Sequence, residues 1–202
     1  MSKLITHAIV KYKPWLYCEA EGYLGKEFTT VYDVGYKRDG KIVTVDDYLK
    51  WENIYVEFFM ELLNLNNISW LKIHDSANYK SNYKKNPQSV TDTLKKYADS
   101  IHPRLVEKRF QNLILSIENG AIITYHEIPD ILRIYIRALA WSQLSNTKHA
   151  FNLFVSADSY FYVTTTMPEL ELMKIAAKYG LYVNPRNYID GYPINVDDYR
   201  IV

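Results

Sequence analysis

The 202-residue chain is 48% hydrophobic and 23% charged, a balance that suits one generous globular domain, or at most two small ones, and argues against disorder. Its formal net charge of +1 supplies no global field to hold it on nucleic acid or on a membrane surface. No apolar run reaches the length of a membrane span, the start MSKLITHAIVKYKPW lacks the apolar centre of a secretory leader, and the single cysteine, Cys18, allows no internal disulfide, so a cytoplasmic protein is expected.

Residues 4–11 read as a strand. Residues 28–36 and 41–45 read as the arms of a hairpin, because Lys37-Arg38-Asp39-Gly40 offers an Asp-Gly pair and glycine accepts a positive φ at no steric cost. Gly22 and Gly25 mark a further bend, and residues 1–45 are expected to form a β-meander. Thr44 can cap a helix, with Asp46 and Asp47 in a first turn whose dipole favours acids. From there Asp46, Lys50, Asn53, Glu57, Glu61 and Asn64 recur at spacings of three and four, one narrow polar stripe on an otherwise apolar and aromatic helix. The spacing predicts a mostly buried helix packed on a sheet, with the acidic stripe outward.

Residues 68–73 read as a short strand, and 74–88 as a long exposed loop rich in Asn, Ser, Lys and Tyr. Ser89 can cap a helix to about Ser100, and Pro103 can open another that runs to Glu118 and stops at Gly120. Residues 121–125 read as a strand. Pro129 opens a very apolar helix, Asp130 to Leu144, with Arg133 and Arg137 one turn apart on its polar side. Residues 150–155 and 160–165 form a second hairpin. Pro168 starts a last helix with Leu172, Ile175, Ala176 and Tyr179 inward, ended by Gly180 with the apolar Leu181 beyond it. The tail, 181–202, is expected to lie across the surface. This order predicts a single α+β domain over 1–202, with a mixed or antiparallel sheet and helices mainly on one face.

Signatures of chemistry are sparse. The chain has no glycine-rich phosphate loop, no G-x-S-x-G elbow, no C-x-x-C and no H-x-x-x-H, and no cofactor or metal is expected. His74-Asp75 is the most site-like pair, since it follows a strand and opens the exposed loop; it would serve a small nuclease or hydrolase with the basic loop behind it. Neighbours along an extended chain point to opposite sides, however, so adjacency alone makes no dyad, and a plain polar strand end is the simpler reading. His126-Glu127 and His149 read as a helix entry and a strand edge.

Charge is uneven. Residues 72–109 hold nine basic against four acidic residues, and residues 41–65 hold two against five. Tyr79-Lys80-Ser81-Asn82-Tyr83-Lys84-Lys85 has the composition of a nucleic-acid contact strip, but the overall +1 weighs against that reading. Nineteen tyrosines suit an interface, because the ring gives area at low entropic cost; codon bias in an A+T-rich genome explains part of the excess. Tyrosines in 44–63 and 160–163 follow core periodicity, whereas Tyr79, Tyr83, Tyr188, Tyr192 and Tyr199 do not.

A helix from Ile131 to Trp141 is followed by the strand Phe151-Asn152-Leu153-Phe154-Val155, the strand Tyr160-Phe161-Tyr162-Val163-Thr164, Pro168-Glu169 with a short helix, and Gly180-Leu181-Tyr182-Val183. This array resembles the C-terminal part of small bacterial immunity proteins that accompany polymorphic or contact-dependent growth-inhibition toxins. The resemblance implies a protein without catalysis of its own that binds a cognate toxin domain and blocks it. If that toxin is a basic nuclease, an acidic face would steer association. Asp46, Glu57, Glu61, Asp190, Asp197 and Asp198, with the five tyrosines outside the core pattern, are then the expected contacts. A phage or mobile-element protein binding a host factor is a further reading that differs in its partner.

Overall fold

The computed structural model describes residues 4–11, 31–38, 40–74, 102–105, 107, 109–140, 142–155, 161–184, 188–189 and 192–193. Seven strands make one antiparallel sheet: β1 (Ile5–Val10), β4 (Trp70–His74), β5 (Ile122–Thr124), β6 (Gln143–Asn146), β7 (Phe151–Val155), β8 (Phe161–Thr165) and β9 (Tyr182–Asn184). Their order across the sheet is β5-β4-β6-β7-β8-β1-β9. Two short ladders stand apart from it, β2 (Lys37–Arg38) with β3 (Lys41–Ile42) and β10 (Tyr188–Ile189) with β11 (Tyr192–Pro193). The helices are α1 (Val45–Leu65), α2 (Arg109–Ser116), α3 (Ile128–Ile136) and α4 (Glu169–Lys178).

The period-2 alternation of a strand sends successive side chains to opposite faces. On one face Ile9, Leu71, Ile73, Ile123, Leu144, Phe151, Leu153, Val155, Phe161, Val163 and Val183 meet the apolar sides of the helices in one core. Helix α1 supplies the aromatic layer: Tyr55 stacks on Phe161 at 4.4 Å between centroids, and Phe59 lies 4.7 Å from the same ring. Burying a ring of this size contributes about 1.5–3 kcal/mol. The opposite face is largely polar. Its register sets Lys72, Ser145, Asn152, Thr164 and Thr6 in one row across five strands, and His74, Gln143, Phe154, Tyr162, Ala8 and Asn184 in the next. This is the α+β arrangement with helices on one face that the element order predicts.

The helix ends follow local chemistry. Thr44 caps α1: its hydroxyl accepts the Asp47 N–H, and the Asp47 carboxylate accepts the Thr44 N–H in return. At the other end Asn67 takes φ +53°, and the N–H groups of Asn67 and Ile68 close back on Asn64 and Leu63. Gly180 stops α4 in the same way, with Leu181 buried beyond it.

Several expectations are corrected. Residues 1–45 do not form a meander among the described residues: β1 sits between β8 and β9, and the Lys37–Ile42 ladder is separate. Of the strand expected over 28–36, Val31–Asp33 is a 3-10 turn. The helix expected to reach Leu144 ends at Ile136 with Arg137 as its cap, because Ala138 takes φ +53° and the Leu139 N–H returns to the Ile134 carbonyl. An alanine in a position usually held by glycine carries no stop signal. The released residues include β6, whose Gln143, Leu144, Ser145 and Asn146 are all buried, so no polar alternation marks the strand. The tail expected from 181 begins with β9, which pairs with β1 and buries Val183. The loop expected over 74–88 keeps His74 in β4; residues 75–88 lie outside the described residues.

Candidate functional site

Charged side chains fall into two groups, those bound inside the fold and those left outside it. The first group centres on Arg137, expected on a polar helix face but only 1% exposed. Its Nε and Nη2 donate to the two oxygens of Glu52 at 2.6 and 2.7 Å, and Glu52 is itself 1% exposed on α1. Nη1 donates to the Leu105 carbonyl and to Glu107, each at 2.8 Å. The guanidinium also lies 4.9 Å from the Phe110 ring centroid. Planar bidentate pairing is what makes burial of such a pair tolerable. Burial opposes the charge on Arg137, but Glu52 and Glu107 outweigh it and raise the pKa above its ordinary value. Burial likewise opposes ionisation of Glu107, yet the hydrogen bonds from Arg109 and Arg137 hold its carboxyl below the usual range. Tyr48, buried nearby, is pushed well up by burial and by the Glu52 carboxylate, so its phenol stays neutral. This node ties α1, α3 and the 105–110 segment together.

The acidic stripe of α1 is partly engaged in the same way. Asp46 accepts from Arg104 at 2.9 Å, with both side chains exposed. Glu61 accepts from Lys178 at 2.6 Å and from the Tyr179 hydroxyl, two groups at the end of α4. Those bonds lower the Glu61 pKa, while burial and the Glu61 carboxylate push the Tyr179 phenol up to about 12. Glu57 is exposed and has no ion pair among the described residues. Tyr79, Tyr83, Asp190, Asp197, Asp198 and Tyr199 lie outside the described residues; Tyr188 and Tyr192 stand in β10 and β11, where only the backbone is described.

A second exposed region was not singled out by the sequence. The β2–β3 hairpin is rooted in the core on both sides, by Val31 and Val34 before it and by Val43 and Val45 after it. At its base the Gly35 N–H donates to the Val43 carbonyl at 2.8 Å, and the Val43 N–H donates to the Tyr36 carbonyl at 2.9 Å. Two residues thus oppose one, a β-bulge, and Gly35 adopts the φ of +89° that it requires. The bulge turns Tyr36 outward, 66% exposed, while Val43 opposite is buried. Ile42, paired with Lys37, is 65% exposed. Lys37 and Lys41 are exposed and make no ion pair among the described residues. The Asp-Gly turn was legible in the sequence; the bulge, carried by Gly35 next to Tyr36, is the signal that would have found the surface.

His74 ends β4 on the polar sheet face, opposite Gln143, and its Nε2 has no hydrogen-bond partner among the described residues. Asp75 lies outside the described residues. Among the described residues no group of three or more His, Cys, Asp or Glu could hold a metal ion, and no helix is long and apolar enough to cross a membrane. The fold and these surfaces define an α+β protein with one helix-covered antiparallel sheet. No protein-family model matches the chain, and neither the curated proteins nor the solved structures contain a match.

Proposed function

We propose that this protein is an immunity protein, which binds a cognate toxin domain in the cytoplasm and neutralises it without catalysis of its own. The observation that carries the reading is the array from Ile131 to Val183. Helix α3, strands β7 and β8, helix α4 and strand β9 stand where the resemblance has its elements, with a shorter helix and with β6 added between α3 and β7, and they pack into one core. Hydrogen bonds of β7 to β8, β8 to β1 and β1 to β9 make that array one continuous half of the sheet. A rigid scaffold of this kind can present side chains to a partner without reorganising, which lowers the cost of binding.

The test is growth. The toxin-like domain encoded by the upstream reading frame is expressed with and without this chain, and with its His74→Ala variant. The proposal expects rescue by the wild type and undiminished rescue by the variant. No rescue by the wild type, or the lack of a toxin-like upstream domain, contradicts it; rescue lost in a folded His74→Ala variant supports a hydrolase or nuclease instead.

A further inference from the structure

We infer that the β2–β3 hairpin is the contact surface for the protein partner, and that the partner surface it fits is acidic. This rests on the reading above and adds the place and the sign of the interface. Three observations converge on it. The hairpin presents an aromatic and an aliphatic side chain, Tyr36 and Ile42, each about two-thirds exposed on a two-stranded ladder that buries neither. Exposed apolar groups rimmed by polar ones mark interaction sites, and tyrosine is among the residues that anchor them. The exposure of Tyr36 is also built in. Gly35 forms a bulge that aims the ring away from the side on which Val43 is buried, and bulges that re-aim a side chain are designed features. Finally, the hairpin is basic: residues 37–41 hold Lys37, Arg38 and Lys41 against Asp39. Lys37 and Lys41 are exposed and make no ion pair among the described residues, Lys41 acting only through space on Asp47, whereas Asp46 and Glu61 on α1 are each held by a basic residue of this chain.

The sign therefore reverses the expectation drawn from the acidic stripe. Lys37, cross-strand from Ile42, and the basic excess of residues 37–41 complement carboxylates on a protein surface. Nucleic acid fits less well, because its affinity comes from many phosphate contacts and an exposed isoleucine contributes nothing to them.

Calorimetric titration of the upstream-encoded toxin domain into the full chain tests this. The wild type is compared with Tyr36→Ser/Ile42→Ser, with Lys37→Glu/Lys41→Glu and with Glu57→Lys, each first checked for a native thermal transition. Loss of the apolar pair is expected to weaken binding by about thirtyfold or more. Charge reversal is expected to weaken it by about tenfold and to reduce its salt dependence. Glu57→Lys is expected to bind within about twofold of the wild type or tighter. Wild-type binding with unchanged affinity in both hairpin variants overturns this inference and leaves the immunity reading standing. No binding by the wild type overturns both, and tighter binding to a duplex oligonucleotide than to the toxin domain overturns the acidic-protein assignment.

Discussion

The Arg137 node and the β2–β3 hairpin use charge in opposite ways. In the node, Glu52 and Arg137 leave water and meet with bidentate geometry, and the half-buried Glu107 adds a further bond to Arg137, so their charges belong to the fold. In the hairpin, Lys37 and Lys41 stay in water beside exposed Tyr36 and Ile42. The contrast teaches that a charged residue is a candidate for recognition only after the fold's own use of it has been subtracted. On α1 the subtraction removes Glu52 fully, engages Asp46 and Glu61, and leaves Glu57.

The largest expected effect comes from breaking the node. Arg137→Ala leaves the buried Glu52 carboxylate with only the longer Arg133 contact, at 3.6 Å, and is expected to cost about 3 kcal/mol in urea unfolding. Replacing both partners with apolar residues, Arg137→Met with Glu52→Leu, is expected to recover much of that loss. A single variant that loses less than about 1 kcal/mol would break the comparison. Thr44→Ala, which removes the α1 cap, is expected to cost about 1 kcal/mol by the same measurement.

A pH effect sharpens the fold side further. His7 is 1% exposed among core side chains, and burial lowers its pKa below the ordinary 6.5, with Glu169 pulling weakly the other way. The unfolded chain therefore takes up the proton first. The stability of the wild type is full above about pH 6.5 and falls as acid protonates this group in the unfolded state. His7→Gln is expected to show a shallower loss between pH 6.5 and 5, measured as thermal midpoint against pH. An unchanged profile would remove His7 from the account. The smallest effect belongs to the hairpin: Tyr36→Ser/Ile42→Ser is expected to change stability by less than about 0.5 kcal/mol, because neither side chain is in the core.

Much of the fold was legible because its signals are local. Thr44 with Asp47, the stripe of α1, the β7–β8 pair and Gly180 with Leu181 each announce themselves within a few residues. Tyr48, Tyr55 and Tyr162 are buried, as periodicity required. Apart from the helix stop at Ala138, which is local, the failures share one cause, which is that the deciding partner is distant. Arg137 looks like a surface residue until Glu52, 85 positions away, receives it. β6 is polar in sequence and central in space. β9 lies in what reads as a tail, and only β1, at the other end of the chain, makes it an edge strand. For the candidate surface, the acids of α1 stood out as a pattern, whereas the hairpin's exposure depends on a three-residue bulge geometry that no periodicity displays.

The account's central claim is tested most directly by amide hydrogen exchange of the chain alone and saturated with the upstream-encoded toxin domain. The prediction is new protection across residues 35–43, with the exposed stripe of α1 little changed. Protection gained along α1 or elsewhere, with residues 35–43 exchanging as in the free chain, would contradict it.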